Sequence, residues 1–128
     1  MKIKLNSVLV ADQEKALRFY TEVLGFIKKV DFPVGEFRWL TVVSPDEPDG
    51  TQLVLEPNAH PAAATYQRAL FDAGIPLTSF AVEDIQNEYY RMKALDVAFS
   101  TQPTDVGSAV VAVFEDTCGN HIQIYQEA

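Results

Sequence analysis

Apolar and polar residues alternate over 2–10, and the alternation stops at Asp12, the pattern of a strand running into a helix N-cap. Ala16, Leu17, Tyr20, Val23 and Leu24 then recur at helical spacing, and Gly25 supplies a C-terminal stop. Three strands are predicted next, near 26–32, 36–43 and 51–56, broken at Pro33-Val34-Gly35 and in the turn-rich SPDEPDG. The second half repeats this order, with strands near 77–82, 97–100, 108–114 and 121–126 and a helix over about 85–95. Between the halves Pro61 opens a further helix that Gly74 closes.

The two halves share punctuation as well as order. Val10-Ala11-Asp12 recurs as Val82-Glu83-Asp84, and Gly35 as Gly107, both 72 residues later, while Gly50 and Gly119 are 69 apart. The repeating unit is βαβββ, occurring twice. VADQEKALRFYTEVLGF resembles the first-module signature of the vicinal oxygen chelate superfamily, which includes glyoxalase I, bleomycin-resistance proteins and extradiol dioxygenases. DTCGNHIQI is similar to that family's closing turn and strand. The resemblance spans residues 1–126 and implies an α+β fold in one domain over 1–128. Its two modules, about 1–57 and 75–126, are joined by the linker helix over about 61–74, and their curled mixed sheets form a cleft. It also implies a homodimer, with Trp39 and the other apolar residues of its strand as candidates for the interface.

Enzymes of the family place four metal ligands in the cleft, one on the first and one on the fourth strand of each module. Carried over by position, these fall on Leu5, Val54, Leu77 and Gln123. Three aliphatic side chains and a neutral amide do not supply the imidazole or carboxylate donors a divalent cation needs. The expectation is therefore no cofactor at the usual site.

Strand parity says which residues accompany those positions. With Leu5 and Leu77 facing the cleft, Ser7 and Ser79 face it too, as do Gln52 and Glu56 beside Val54, and His121 and Tyr125 beside Gln123. Apolar walls with a few placed polar groups suit a small organic ligand. Each polar residue has a plainer reading as well. His121 and Glu56 stand where strands meet solvent, and Tyr125 can be a packing aromatic. Gln123, in mid-strand, needs hydrogen-bond partners if buried. Arg38 can clamp an anionic group, pair with Glu36 or Glu56, or stand in water, and its neighbours Phe37 and Trp39 are expected in the core.

The leading expectation is thus a small-molecule-binding protein of the bleomycin-resistance type. The rival is a glyoxalase-like lyase, isomerase or dioxygenase with a displaced divalent metal held by Glu56, His60 and His121. Composition narrows the field further. A formal net charge of −8 disfavours nucleic acid as a partner. No apolar run reaches the ~20 residues that cross a bilayer. The start of the chain lacks the pattern of a signal peptide, and one cysteine, Cys118, permits no internal disulfide. Those features read as a cytosolic protein.

Overall fold

The computed structural model describes residues 1–128 as two compact units, Met1–Thr65 and Tyr66–Ala128. In the first, strands β1 (Leu5–Val10), β2 (Ile27–Val34), β3 (Phe37–Val43) and β4 (Gln52–Pro57) form an open sheet in the order β1-β4-β3-β2. β1 runs parallel to β4 and the other pairs are antiparallel, so the sheet is mixed. Helix α1 (Gln13–Arg18) continues as a π-helical turn over Phe19–Val23. The second unit repeats the plan with β5 (Thr78–Ala81), β6 (Phe99–Asp105), β7 (Ala109–Glu115) and β8 (His121–Glu127), ordered β5-β8-β7-β6. Helix α3 (Ile85–Ala94) packs on this sheet. Helix α2 (Pro61–Asp72) carries the boundary between the units. The fold is α+β, with both sheets open, and no helix is long and apolar enough to cross a membrane.

The aspartates that end the first strand of each repeat do cap helices. The Asp12 carboxylate accepts from Lys15 N and that of Asp84 from Asn87 N, each at 3.0 Å. One face of each sheet is covered. Val8, Val10, Leu40, Val42 and Leu55 are buried with Ala16 and Tyr20 of the α1 segment, and Ala112, Phe114, Ile122 and Ile124 with Ile85 and Met92 of α3. The Val, Leu, Ile, Phe and Met side chains among them each contribute about 1.5–3 kcal/mol through burial, which fixes strand register, because a one-residue slip would turn the apolar set to water.

The structure departs from the sequence expectation in three places. β6 runs over Phe99–Asp105 rather than 97–100, with register shifts between Phe99 and Thr101 and again between Thr101 and Thr104. Its polar composition and Pro103 suggest a loop, but an edge strand tolerates a residue with no N–H to give. The first helix loses its α-helical repeat at Phe19, where Leu24 N reaches back to Phe19 O at 3.1 Å across one extra residue. Finally, Phe37 and Trp39 are not core. They share the face opposite α1 with Thr41, leaving Phe37 exposed and Trp39 half-buried, whereas Arg38, Leu40 and Val42 point to the helix side.

Candidate functional site

The sheet faces opposite α1 and α3 carry most of the residues that the sequence singles out. In the first unit Ser7 pairs with Val54 across β1 and β4, and Val54 with Thr41 across β4 and β3. The buried Thr41 Oγ1 donates to Gln52 Oε1 at 2.7 Å, so the Gln52 amide is held in place from below. Leu9 pairs with Glu56, and Phe32 with Trp39, along the next row. In the second unit the same register sets Ser79 beside Gln123, and Gln123 beside Val113. Gln123 Nε2 donates to Ser79 Oγ at 3.0 Å, which answers its need for a partner. Tyr125 lies half-buried between Ala81 and Val111.

His121 opens β8 on that same face and is buried. Phe71 of α2 stacks on its ring, with centroids 4.4 Å apart and planes 19° from parallel. Its Nδ1 is buried without a hydrogen-bond partner, an uncommon state for a native polar atom. The turn before it, 116–120, is built on buried Asp116, whose carboxylate accepts from Cys118 N, Asn120 N and Asn120 Nδ2 at 2.7–3.0 Å. Cys118 is buried within that turn.

Arg38 stands apart from this constellation. Its guanidinium grips Asp31 with two bonds, Nε to Oδ1 at 3.0 Å and Nη2 to Oδ2 at 2.7 Å, while Nη1 donates to Glu14 Oε2 at 2.7 Å. Neither Glu36 nor Glu56 is its partner, because parity aims it at the helix-covered side. Its donation to Asp31 holds that carboxyl below the usual carboxylate range, with the neighbouring positive charges of Arg38 and Lys28 acting in the same direction. Folding therefore favours ionised Asp31. The stabilisation is fully present above the unfolded value of about 3.9 and is lost as pH falls through the lower folded value. Urea midpoints followed from neutral to acid pH should show this loss in the wild type and a shallower acid limb in Asp31→Asn. Identical limbs would mean the pair adds nothing to stability.

His60 and Glu56 are not brought together either. His60 caps α2, its Nδ1 accepting from Ala62 N at 3.0 Å, and Glu56 is exposed, its carboxylate with no hydrogen bond or ion pair. No group of three or more His, Cys, Asp or Glu side chains gathers as a metal site. At the positions that hold metal in related enzymes, Leu5, Val54 and Leu77 present hydrocarbon and Gln123 a neutral amide already bonded to Ser79. These residues do not fit a divalent cation.

Thr41, Trp39 and Phe32 belong to the same surface and are absent from the sequence-based candidates. Their signal was the parity of β3, which becomes usable once Thr41 is known to lie opposite Val54.

Comparison with known proteins agrees with this fold. The chain is 59% identical over 127 residues to the uncharacterized protein YurT of Bacillus subtilis (strain 168), covering 99% of this chain and 100% of that one. Among solved structures, UcmS2 superposes with a TM-score of 0.83 at 31% identity, covering 98% of this chain and 97% of that one. TnmS3, an antibiotic binding protein from Streptomyces sp. CB03234, gives 0.79 at 30% identity, covering 100% and 97%. The family model for the Glyoxalase/Bleomycin resistance protein/Dioxygenase superfamily matches residues 3–124, and to that superfamily the chain belongs.

Proposed function

We propose that this protein binds a small organic molecule on the sheet faces opposite α1 and α3, without a metal at the positions its enzymatic relatives use. The observation that carries the reading is the make-up of those faces. Each carries aliphatic and aromatic residues about one fixed amide–hydroxyl pair, Gln52–Thr41 in the first unit and Gln123–Ser79 in the second, while the carried-over ligand positions hold three aliphatic side chains and one neutral amide. Either face by itself gives apolar contact area with oriented hydrogen-bonding groups, which is how ligand pockets gain affinity and specificity. The likeness to TnmS3, described as an antibiotic binding protein, supports the same class of activity.

We further propose that the protein acts as a cytosolic homodimer. Ile27, Val34 and Phe37 leave apolar surface exposed on β2 and β3, of the kind a second copy covers.

Two measurements test the reading. Elemental analysis of untagged protein purified without chelator is expected to find far less than one equivalent of bound metal. Trp39, the one tryptophan, lies half-buried on the first sheet's face opposite α1, so its fluorescence should change saturably when an organic ligand binds. About one retained equivalent of metal would overturn the metal-free reading and restore a displaced metal shell as the better account.

A further inference from the structure

We infer that the ligand is an organic cation with an aromatic or aliphatic body, held on the first sheet by the Glu56 carboxylate against Trp39 and Phe32. This rests on the binding reading above and names the class of molecule bound.

Charge on that face is one-sided. β1 contributes Leu5, Ser7 and Leu9, and β4 contributes Gln52, Val54 and Glu56. By register, alternate residues of β3 and β2 join them, from Phe37 to Val43 and from Ile27 to Val34, and all of these are apolar except Thr41. Glu56 is the single charged residue among them. Its carboxylate has no ion pair and no hydrogen bond within the protein.

The basic side chains of the first sheet are engaged elsewhere. Arg38 lies one residue from Trp39 but points to the opposite side, where Asp31 and Glu14 occupy its donors. Lys28 also pairs with Asp31. Lys29, the extra residue at the β2 irregularity, reaches Asp49 at 3.2 Å. The remaining basic residues lie before β1 or in the helices and the segments that extend them.

A lone carboxylate on an aromatic-bearing surface attracts an ammonium or similar cation by two additive routes. Its own charge acts directly, and the ring faces of Trp39 and Phe32 add cation–π attraction, which strengthens as a guest displaces water. The formal charge of −8 also favours the approach of a cationic guest and disfavours an anionic one.

The test uses a pair of planar probes matched in shape: acridine, uncharged at mildly alkaline pH, and N-methylacridinium, a permanent cation. Binding is followed by calorimetry and by quenching of Trp39. The wild type should bind N-methylacridinium about tenfold more tightly than acridine. Glu56→Gln should bring the two affinities together by weakening the cation alone. Glu22→Gln removes an exposed carboxylate on the helical segment and should leave the preference intact. A preference that survives Glu56→Gln, or that Glu22→Gln removes equally well, would overturn the assignment to Glu56. Equal wild-type affinities would overturn the cationic class while leaving the binding function in place. Failure of both probes to bind at millimolar concentration would also sink this inference, and the binding function would then be judged by its own ligand screen.

Discussion

Asp116→Ala should cost about 3–5 kcal/mol of folding stability, the largest loss expected from any polar substitution in this chain. Asp116 is fully buried, and its carboxylate takes three hydrogen bonds: Cys118 N at 2.8 Å, Asn120 N at 3.0 Å and Asn120 Nδ2 at 2.7 Å. Removing it strands those donors away from water, which costs more than the net strength of the bonds lost. The backbone it restrains is unusual, with Thr117 at φ 63° and Gly119 at φ 100°. The turn is also tied to α2, because Gln67 Nε2 donates to Asn120 Oδ1 at 2.9 Å and to Cys118 O at 3.2 Å. Gly119 is required on a second ground, since a Cβ there would lie 2.9 Å from Gln67 Nε2. Asp116→Asn keeps the shape but turns an amide donor toward other donors, so it should recover only part of the loss. Urea unfolding with an unchanged m-value checks this. A loss below about 1 kcal/mol would show that the turn is held by packing rather than by the carboxylate. Because the turn launches β8, it also sets where His121, Gln123 and Tyr125 stand.

Much of this architecture was legible in the sequence, and the reason is physical. The repeat of Asp12 and Asp84 marks two helix starts because a capping carboxylate is a local device needing only the next three residues. The faces of β1, β4, β5 and β8 follow from two-residue alternation, and the register bears this out by setting Ser7 beside Val54 and Ser79 beside Gln123. The face of β3 was not legible, because the loop over 44–51 does not fix which residue lies opposite Val54. Phe37 and Trp39 were therefore expected in the core and stand on the face opposite α1. Arg38 shows the same limit from the other side. Its partners Asp31 and Glu14 come from the neighbouring strand and from α1, at distances in sequence that no local pattern encodes. β6 was under-read because its polar residues and Pro103 resemble a loop, and only pairing with β7 makes them a strand.

The same limit hides the residue that keeps the first sheet together beneath the candidate site. β7 and β8 pair along seven residues, from Ala109–Glu127 to Glu115–His121, but β3 and β4 pair over only three, ending at Thr41–Val54. Continued in register, the ladder would bring Arg38 opposite Pro57, which has no N–H to donate. The Gln13 side chain fills that place. Its Nε2 donates to Arg38 O at 2.7 Å and to Leu55 O at 2.8 Å, and its Oε1 accepts from Arg38 N at 3.0 Å. One amide thus replaces a stretch of strand pairing at the level of Trp39 and Glu56.

Gln13→Ala should therefore destabilise the fold by about 2–3 kcal/mol, near 1 kcal/mol for each backbone group left without its partner. Gln126 in the second unit, whose Oε1 accepts from Ile85 N at 2.9 Å, makes one such bond, so Gln126→Ala should cost about 1 kcal/mol. Amide hydrogen exchange separates a local from a general effect. The Arg38 N–H should lose protection in Gln13→Ala well before the amides of Leu40 and Val42. If the ends of β3 and β4 then part, affinity for an organic cation at Glu56 should fall as well, although Gln13 lies on the helix side. Unchanged Arg38 exchange in a destabilised Gln13→Ala protein would mean that the strands are held by side-chain packing, and that the short β3–β4 ladder needs no substitute.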